Sequence, residues 1–149
     1  MHTGSRFRLV LPKVILVRRK IFRHYTGFSF FVFIWISELV KERKRLIHHE
    51  TIHYHQQIEL LFIFHWLLYA LFYVISRIAG RGHYIAYRYN PFEIEAYRHD
   101  GEFDYLSKRR LYAWTNYLPA YYKILRGKLR PDDTMQSIKW PDDGTSFLK

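Results

Sequence analysis

The sequence predicts an α+β fold that is mostly α, with a β-hairpin on its N-terminal side and helices behind it. Three observations lead there. Residues 7–17 and 27–37 are short runs rich in Val, Ile and Phe, with the length and composition of strands. From about Glu38 to Ile78 neither Pro nor Gly occurs, and Leu46, His49, Glu50, His53, Gln57 and Leu61 recur at helical intervals. Pro91, directly after Asn90, is placed to open a further helix.

The two strands are separated by a basic stretch that ends in Tyr25-Thr26-Gly27, and they are expected to pair as a hairpin. Phe28–Ile36 is well short of the roughly 20 residues a membrane span requires, so strand is preferred there. The long helix, about 38–78 and broken at most once, changes character halfway. Leu60–Ile75 is almost wholly apolar, with His65 its only strongly polar member and Trp66, Tyr69 and Tyr73 suited to an interface. A run of that length is intermediate, and reads either as a buried core helix or as one that dips into a bilayer. Gly80-Arg81-Gly82 ends it. A loop through Asn90 follows, then a helix from Phe92 to about Arg110 that Gly101 interrupts, and an aromatic helix over 111–125 around Pro119. One domain thus covers 1–125, and 126–149 is a polar extension with Pro-Asp-Asp turns at Pro131 and Pro141.

Lys and Arg outnumber Asp and Glu by 24 to 13, and aromatic residues make up 19% of the chain, which points to an anionic surface as partner. Arg18, Arg19, Lys20, Arg23 and Lys41, Arg43, Lys44, Arg45 flank very apolar stretches, a pattern that favours anionic lipid over nucleic acid. The aromatics do not alternate with basic residues along a strand, as a nucleic-acid platform would require. The apolar piece Leu9–Val17 is interrupted by Pro12 and Lys13 and lacks a small-residue cleavage site, so no cleaved signal peptide is expected, and the location is membrane-associated or cytoplasmic. With no cysteine, any metal must be held by His, Asp and Glu.

His49-Glu50-Thr51-Ile52-His53 supplies such a site. Two histidines four apart on a helix project from one face and can meet a single Zn²⁺. Glu50 stands beside the metal without ligating it, where it can take a proton from bound water. His48 and His55 lack a second histidine at the same spacing; His55 reads as a surface or supporting group, and His65 as an interior or interfacial one. Gln56 and Gln57 could orient an imidazole or touch substrate, though ordinary helix-surface glutamine is the simpler reading.

The third ligand is sought in Pro91-Phe92-Glu93-Ile94-Glu95-Ala96-Tyr97. The arrangement resembles a gluzincin-type zinc metallopeptidase, in which a His-Glu-x-x-His helix is completed by a glutamate on a later helix. Phe92-Glu93-Ile94-Glu95-Ala96 is similar to the third-ligand segment of the CAAX-prenyl-protease family of membrane metalloendopeptidases, and residues 27–108 also resemble short bacterial proteins with the same pattern. The resemblance implies a minimal zincin-like domain, a ligand role for Glu93 and hydrolysis of a peptide or protein substrate. Glu95, roughly 200° round the helix, is the alternative ligand. Tyr97 stands where the family has an aspartate, and Asp100, back on the face of Glu93, could supply the supporting hydrogen bond instead. Tyr97, Arg98, Tyr105 and Tyr112 are the candidates to stabilise an oxyanion. Strand 27–37, as the resemblance implies, could pair with an extended substrate. The competing reading is a non-catalytic membrane-associated protein with a structural metal site or polar network; His99 or Glu95 as a fourth ligand would favour it.

Overall fold

A computed structural model describes residues 12–18, 27–37 and 40–127. Residues 7–11 of the first expected strand, the basic positions Arg19, Lys20 and Arg23, and the extension from 128 with its turns at Pro131 and Pro141 lie outside the described residues.

The fold is α+β and mostly α, a small sheet followed by helices. Strands β1 (Lys13–Val17), β2 (Gly27–Phe30) and β3 (Phe33–Ser37) form a sheet in the order β1-β3-β2. The hairpin expected between 7–17 and 27–37 is not the one that forms. β1 runs parallel to β3, Lys13 opposite Phe33, while the hairpin lies inside the second run, with β2 antiparallel to β3. Its turn has no Gly, Pro or Asn to announce it: Phe31 takes a left-handed φ of 52°. Tertiary contacts hold that residue, since its N–H donates to Gln57 Oε1 and its ring stacks on Phe62 at 4.7 Å. On β3 the period of two is clean, with Ile34 and Ile36 wholly buried and Phe33 and Trp35 half-buried.

The long helix breaks once, into α1 (Arg43–Glu59) and α2 (Ile63–Ile78), bent by 110°. Leu61 and Phe62, both at positive φ, make the break, which the Phe62 N–H caps by donating to Gln57 O at 2.6 Å. Side chains without glycine's freedom adopt such angles only where surrounding contacts hold them. Of α2 only His65, Phe72 and Ser76 are buried, so it is not the enclosed core helix that its composition also allowed. Among the described residues no single helix is long and apolar enough to cross a membrane.

A helix the sequence did not signal, α3 (His83–Arg88), fills the expected loop, and α4 (Pro91–His99) follows. Asn90 caps α4: its side chain accepts from Phe92 N–H at 3.3 Å and donates to Tyr69 O at 3.0 Å, tying the helix start to α2. The helix expected to reach Arg110 stops at His99, before Gly101, and resumes only as α5 (Tyr105–Lys108). Likewise 111–125 is a 3₁₀ turn, Ala113–Tyr117, followed by α6 (Leu118–Leu125), with Pro119 in its first turn. Phe72, Phe92, Ile94, Trp114, Tyr121 and Ile124 pack as the main core between α2, α4 and α6. Ile52 and Ala96 join α1 to α4 in a smaller one, and that contact sets His49 and His53 against Glu93.

Candidate metal centre

His49, His53 and Glu93 come together, all buried, as a group that could hold a metal ion. His49 Nε2 and His53 Nε2 lie 3.2 Å apart, and Glu93 Oε2 is 3.5 Å from each. A tetrahedral ion with bonds of about 2.0–2.1 Å sets its ligand atoms about 3.3–3.4 Å apart, so this triangle has the dimensions of one face of such a site. Two of the three donors are held from behind, which turns these atoms toward one another. His53 Nδ1–H donates to Gln56 Oε1 at 2.8 Å, and the orientation of that amide is fixed because Gln56 Nε2 donates to Phe92 O and Glu95 Oε2. The bond assigns the proton to Nδ1 and leaves Nε2 with its lone pair. Tyr69 OH donates to Glu93 Oε1 at 2.8 Å, while Glu93 Oε2 has no hydrogen-bond partner in its burial. A buried carboxylate oxygen without a hydrogen-bond partner is costly unless a cation, a metal ion or a protonated imidazole, satisfies it.

Asp100 stands behind His49. Its Oδ1 accepts from Arg45 Nε at 2.7 Å, and its Oδ2 is 3.9 Å from His49 Nδ1. That separation exceeds a hydrogen bond, and both atoms are otherwise unpartnered, so the contact is an electrostatic one that aims the ring. Burial alone would lower the His49 pKa, but the Asp100 and Glu93 carboxylates outweigh it and raise it to about 9. For Glu93, burial is likewise overcome, here by the two imidazoles, and its carboxyl is held far below the usual range.

Glu50 is buried on the same cavity wall, and burial pushes its carboxyl up, against the lowering pull of His49 and His53. β2 makes room for it. A Cβ on Gly27 would sit 2.7 Å from Glu50 Oε1 and 3.0 Å from Leu46 Cδ1. The adjoining cavity of about 340 Å³ is lined by His49, Glu50, His53 and Glu93, with Gly27 and Phe28 along one side and His65, Tyr69 and Tyr73 along another. A more open depression of about 440 Å³, at Lys44, Ile47, His48, Thr51 and Phe103, lies on the far side of α1 and holds no carboxylate.

Other sequence candidates go elsewhere. Gln56 and Gln57 are fully buried, not surface residues: Gln57 Nε2 donates to Ser29 O and Oγ, and so pins the β2 end of the hairpin to α1. Glu95 faces away from the metal group, accepting from Gln56, Tyr105 and Arg109. Arg109 also pairs with Glu59, making a buried carboxylate–guanidinium–carboxylate network. Tyr105 is thus committed to Glu95, and Tyr112 donates its backbone N–H to Glu59. Arg98 lies 5.9 Å over the Tyr117 ring. Of the four oxyanion candidates only Tyr97 is near the group, its ring 4.4 Å from that of His49. His99 stacks on Tyr105 and contacts the Tyr117 hydroxyl, so it is no fourth ligand. His55 is half-buried beside Arg109, and burial with that cation lowers its pKa to about 4.

No protein family, curated protein or solved structure matches this chain. What can be said of the site therefore rests on its own geometry. Sequence reasoning missed Tyr69, Arg109 and Gly27. It could have ranked Gln56 higher, because a carboxamide three residues after His53 is one turn along the same face.

Proposed function

We propose that the chain is a zinc-dependent peptidase in which His49, His53 and Glu93 hold the ion and Glu50 is the general base. One observation carries the reading: three bare ligand atoms, arranged as a tetrahedral face, lie with a fourth, non-ligating carboxylate on the wall of one cavity. Two imidazoles and a carboxylate are the donor set of hydrolytic zinc, and the absence of thiols removes the usual structural alternatives. The resemblance to gluzincins points the same way. With Glu95 and His99 engaged elsewhere, a coordination corner is left for water or substrate, which favours catalysis over a structural ion.

Zinc, when bound, polarises the scissile carbonyl and brings the pKa of its water toward about 7. With the ion held by His49, His53 and Glu93, Glu50 on the wall of the same cavity would accept the proton of the attacking water and return it to the leaving amine. His65 lines the same cavity, its ring 6.4 Å from that of His53; burial lowers its pKa to about 3, so it serves as a neutral donor to the developing oxyanion. β2 is an edge strand, and Gly27 and Phe28 run along the cavity, where an extended peptide backbone can pair.

The test is zinc content by mass spectrometry together with cleavage of a fluorogenic peptide library, in wild type and Glu50→Gln. The expected result is about one zinc per chain in both and hydrolysis in wild type alone. A purified wild type without zinc, or a Glu50→Gln protein that cleaves at the wild-type rate, overturns the proposal.

A further inference from the structure

The outer side of α2 is an apolar stripe that no described segment covers. Ile63, Phe64, Leu67, Leu71, Val74 and Ile78 are exposed along it, Ile78 to 82%. At about 100° per residue these positions fall within roughly one third of the helix circumference, opposite the buried His65, Phe72 and Ser76. The stripe continues past the bend into Leu61 and the hairpin tip, Phe30-Phe31-Val32, all exposed. Contiguous exposed apolar surface of this extent marks a docking face.

Charge says what docks there. No Asp or Glu occurs between Glu59 and Glu93, nor between Asp104 and Asp132. At the C-terminal end of the stripe Arg77 donates to Arg81 O, and Arg81 Nη2 donates to Leu125 O, which ties the two arginines to the end of α6, whose last turn carries Lys123. An apolar stripe without acids, ending in arginines and flanked on one side by the indole of Trp66 and the phenol of Tyr73, has the chemistry of an interfacial helix. At 16 residues α2 is about 24 Å long, short of a span, so it lies in the membrane plane.

The geometry points to α2 and the hairpin tip as a docking face for an anionic lipid bilayer, with the stripe in the acyl boundary and the arginines at the headgroups. Trp66 and Tyr73 lie on the flank of α2 between the stripe and the buried face and also line the cavity, so docking brings the cavity mouth toward the headgroup level. The inference stands on α2 and its charges, and does not depend on zinc or hydrolysis.

The experiment is co-sedimentation of the full chain with vesicles of phosphatidylcholine containing about 30% phosphatidylserine, and with phosphatidylcholine alone. Wild type is expected to pellet with the anionic vesicles and much less with the neutral ones. Leu67→Glu with Leu71→Glu, at exposed positions where glutamate is a good helix former, is expected to bind at least about tenfold more weakly with circular dichroism and zinc content unchanged. Arg77→Ala with Lys123→Ala is expected to bind several-fold more weakly and to lose most of its salt dependence. Wild type that stays in the supernatant with both vesicles, or a double-glutamate variant that pellets like wild type, overturns the inference. A dimer in sedimentation velocity that the glutamates dissolve, without vesicle binding, overturns it in favour of a second copy on this face. Loss of zinc would leave the vesicle result intact, so the two proposals fail separately.

Discussion

Gln56→Met tests whether the site depends on the residues behind its ligands. The substitution keeps the length of the side chain and removes three hydrogen bonds: from His53 Nδ1, to Phe92 O and to Glu95 Oε2. The His53 ring then loses the acceptor that fixes its tautomer, and losing such a partner costs about 10–100-fold in metal affinity, or about 1.4–2.7 kcal/mol. Stability falls separately. Glu95 Oε2 keeps a contact with Arg109 Nη2 at 3.2 Å, so the loss lies toward the low end of about 1–3 kcal/mol for a buried group left short of a partner. Zinc affinity is measured by competition with a chromophoric chelator, and stability by urea unfolding of the metal-free protein. Gln57→Met is the control: Gln57 holds the hairpin and touches neither imidazole, so its loss is expected to lower stability and leave zinc affinity unchanged. Equal zinc affinity in wild type and a folded Gln56→Met protein would refute the reasoning, as would equal losses in the two variants.

Two further outcomes follow from the same network. Gly27→Ala introduces a Cβ at 2.7 Å from Glu50 Oε1, so the carboxylate must move; because a positioned base contributes about 10²–10⁴-fold, kcat is expected to fall about tenfold or more at unchanged zinc content, and an unchanged kcat would show that β2 does not set the position of Glu50. Arg109→Met strands Glu59 and Glu95, whose side chains are almost wholly buried, and is expected to cost about 3–5 kcal/mol in denaturant unfolding; a loss below about 1 kcal/mol would mean the two carboxylates find other partners.

What the sequence made legible was local. His49, Glu50 and His53 are one helical turn apart, and a four-residue spacing is a statement about geometry that needs no fold. Asn90-Pro91 announced α4 for the same reason: cap and first-turn proline act within three residues. Glu93 had no such sign, because its distance from His53 is set by the packing of Ile52 against Ala96, and only a resemblance singled it out. The missed partners are long-range: Tyr69 meets Glu93 24 residues on and Arg109 meets Glu59 50 back, whereas Gln56, which the sequence did offer as an imidazole partner, lies one turn from His53. The turn at Phe31 and the break at Leu61 and Phe62 were invisible for a further reason. Propensity argues against a left-handed phenylalanine or leucine, and what overrides it is a single piece of tertiary structure, the Phe31–Phe62 stack with Gln57 bonding to both segments.

The charges at the centre also explain why these acids and histidines are tolerable inside a small core. Glu93 is ionised in its burial because two imidazoles face it, and His49 is basic because two carboxylates face it. The raised pKa of His49 and the lowered pKa of Glu93 are two sides of one attraction, which lessens the cost of burying either charge. A divalent ion would offer Glu93 Oε2 and both Nε2 atoms a partner at once, which a single shared proton cannot do. The buried acids behind the triangle have their own cations: Asp100 pairs with Arg45, and Glu59 and Glu95 share Arg109, which offsets one of their two charges. At the triangle the unpartnered Glu93 Oε2 faces two imidazoles, and among the described residues this is the group of histidine and carboxylate atoms placed closely enough to hold a cation.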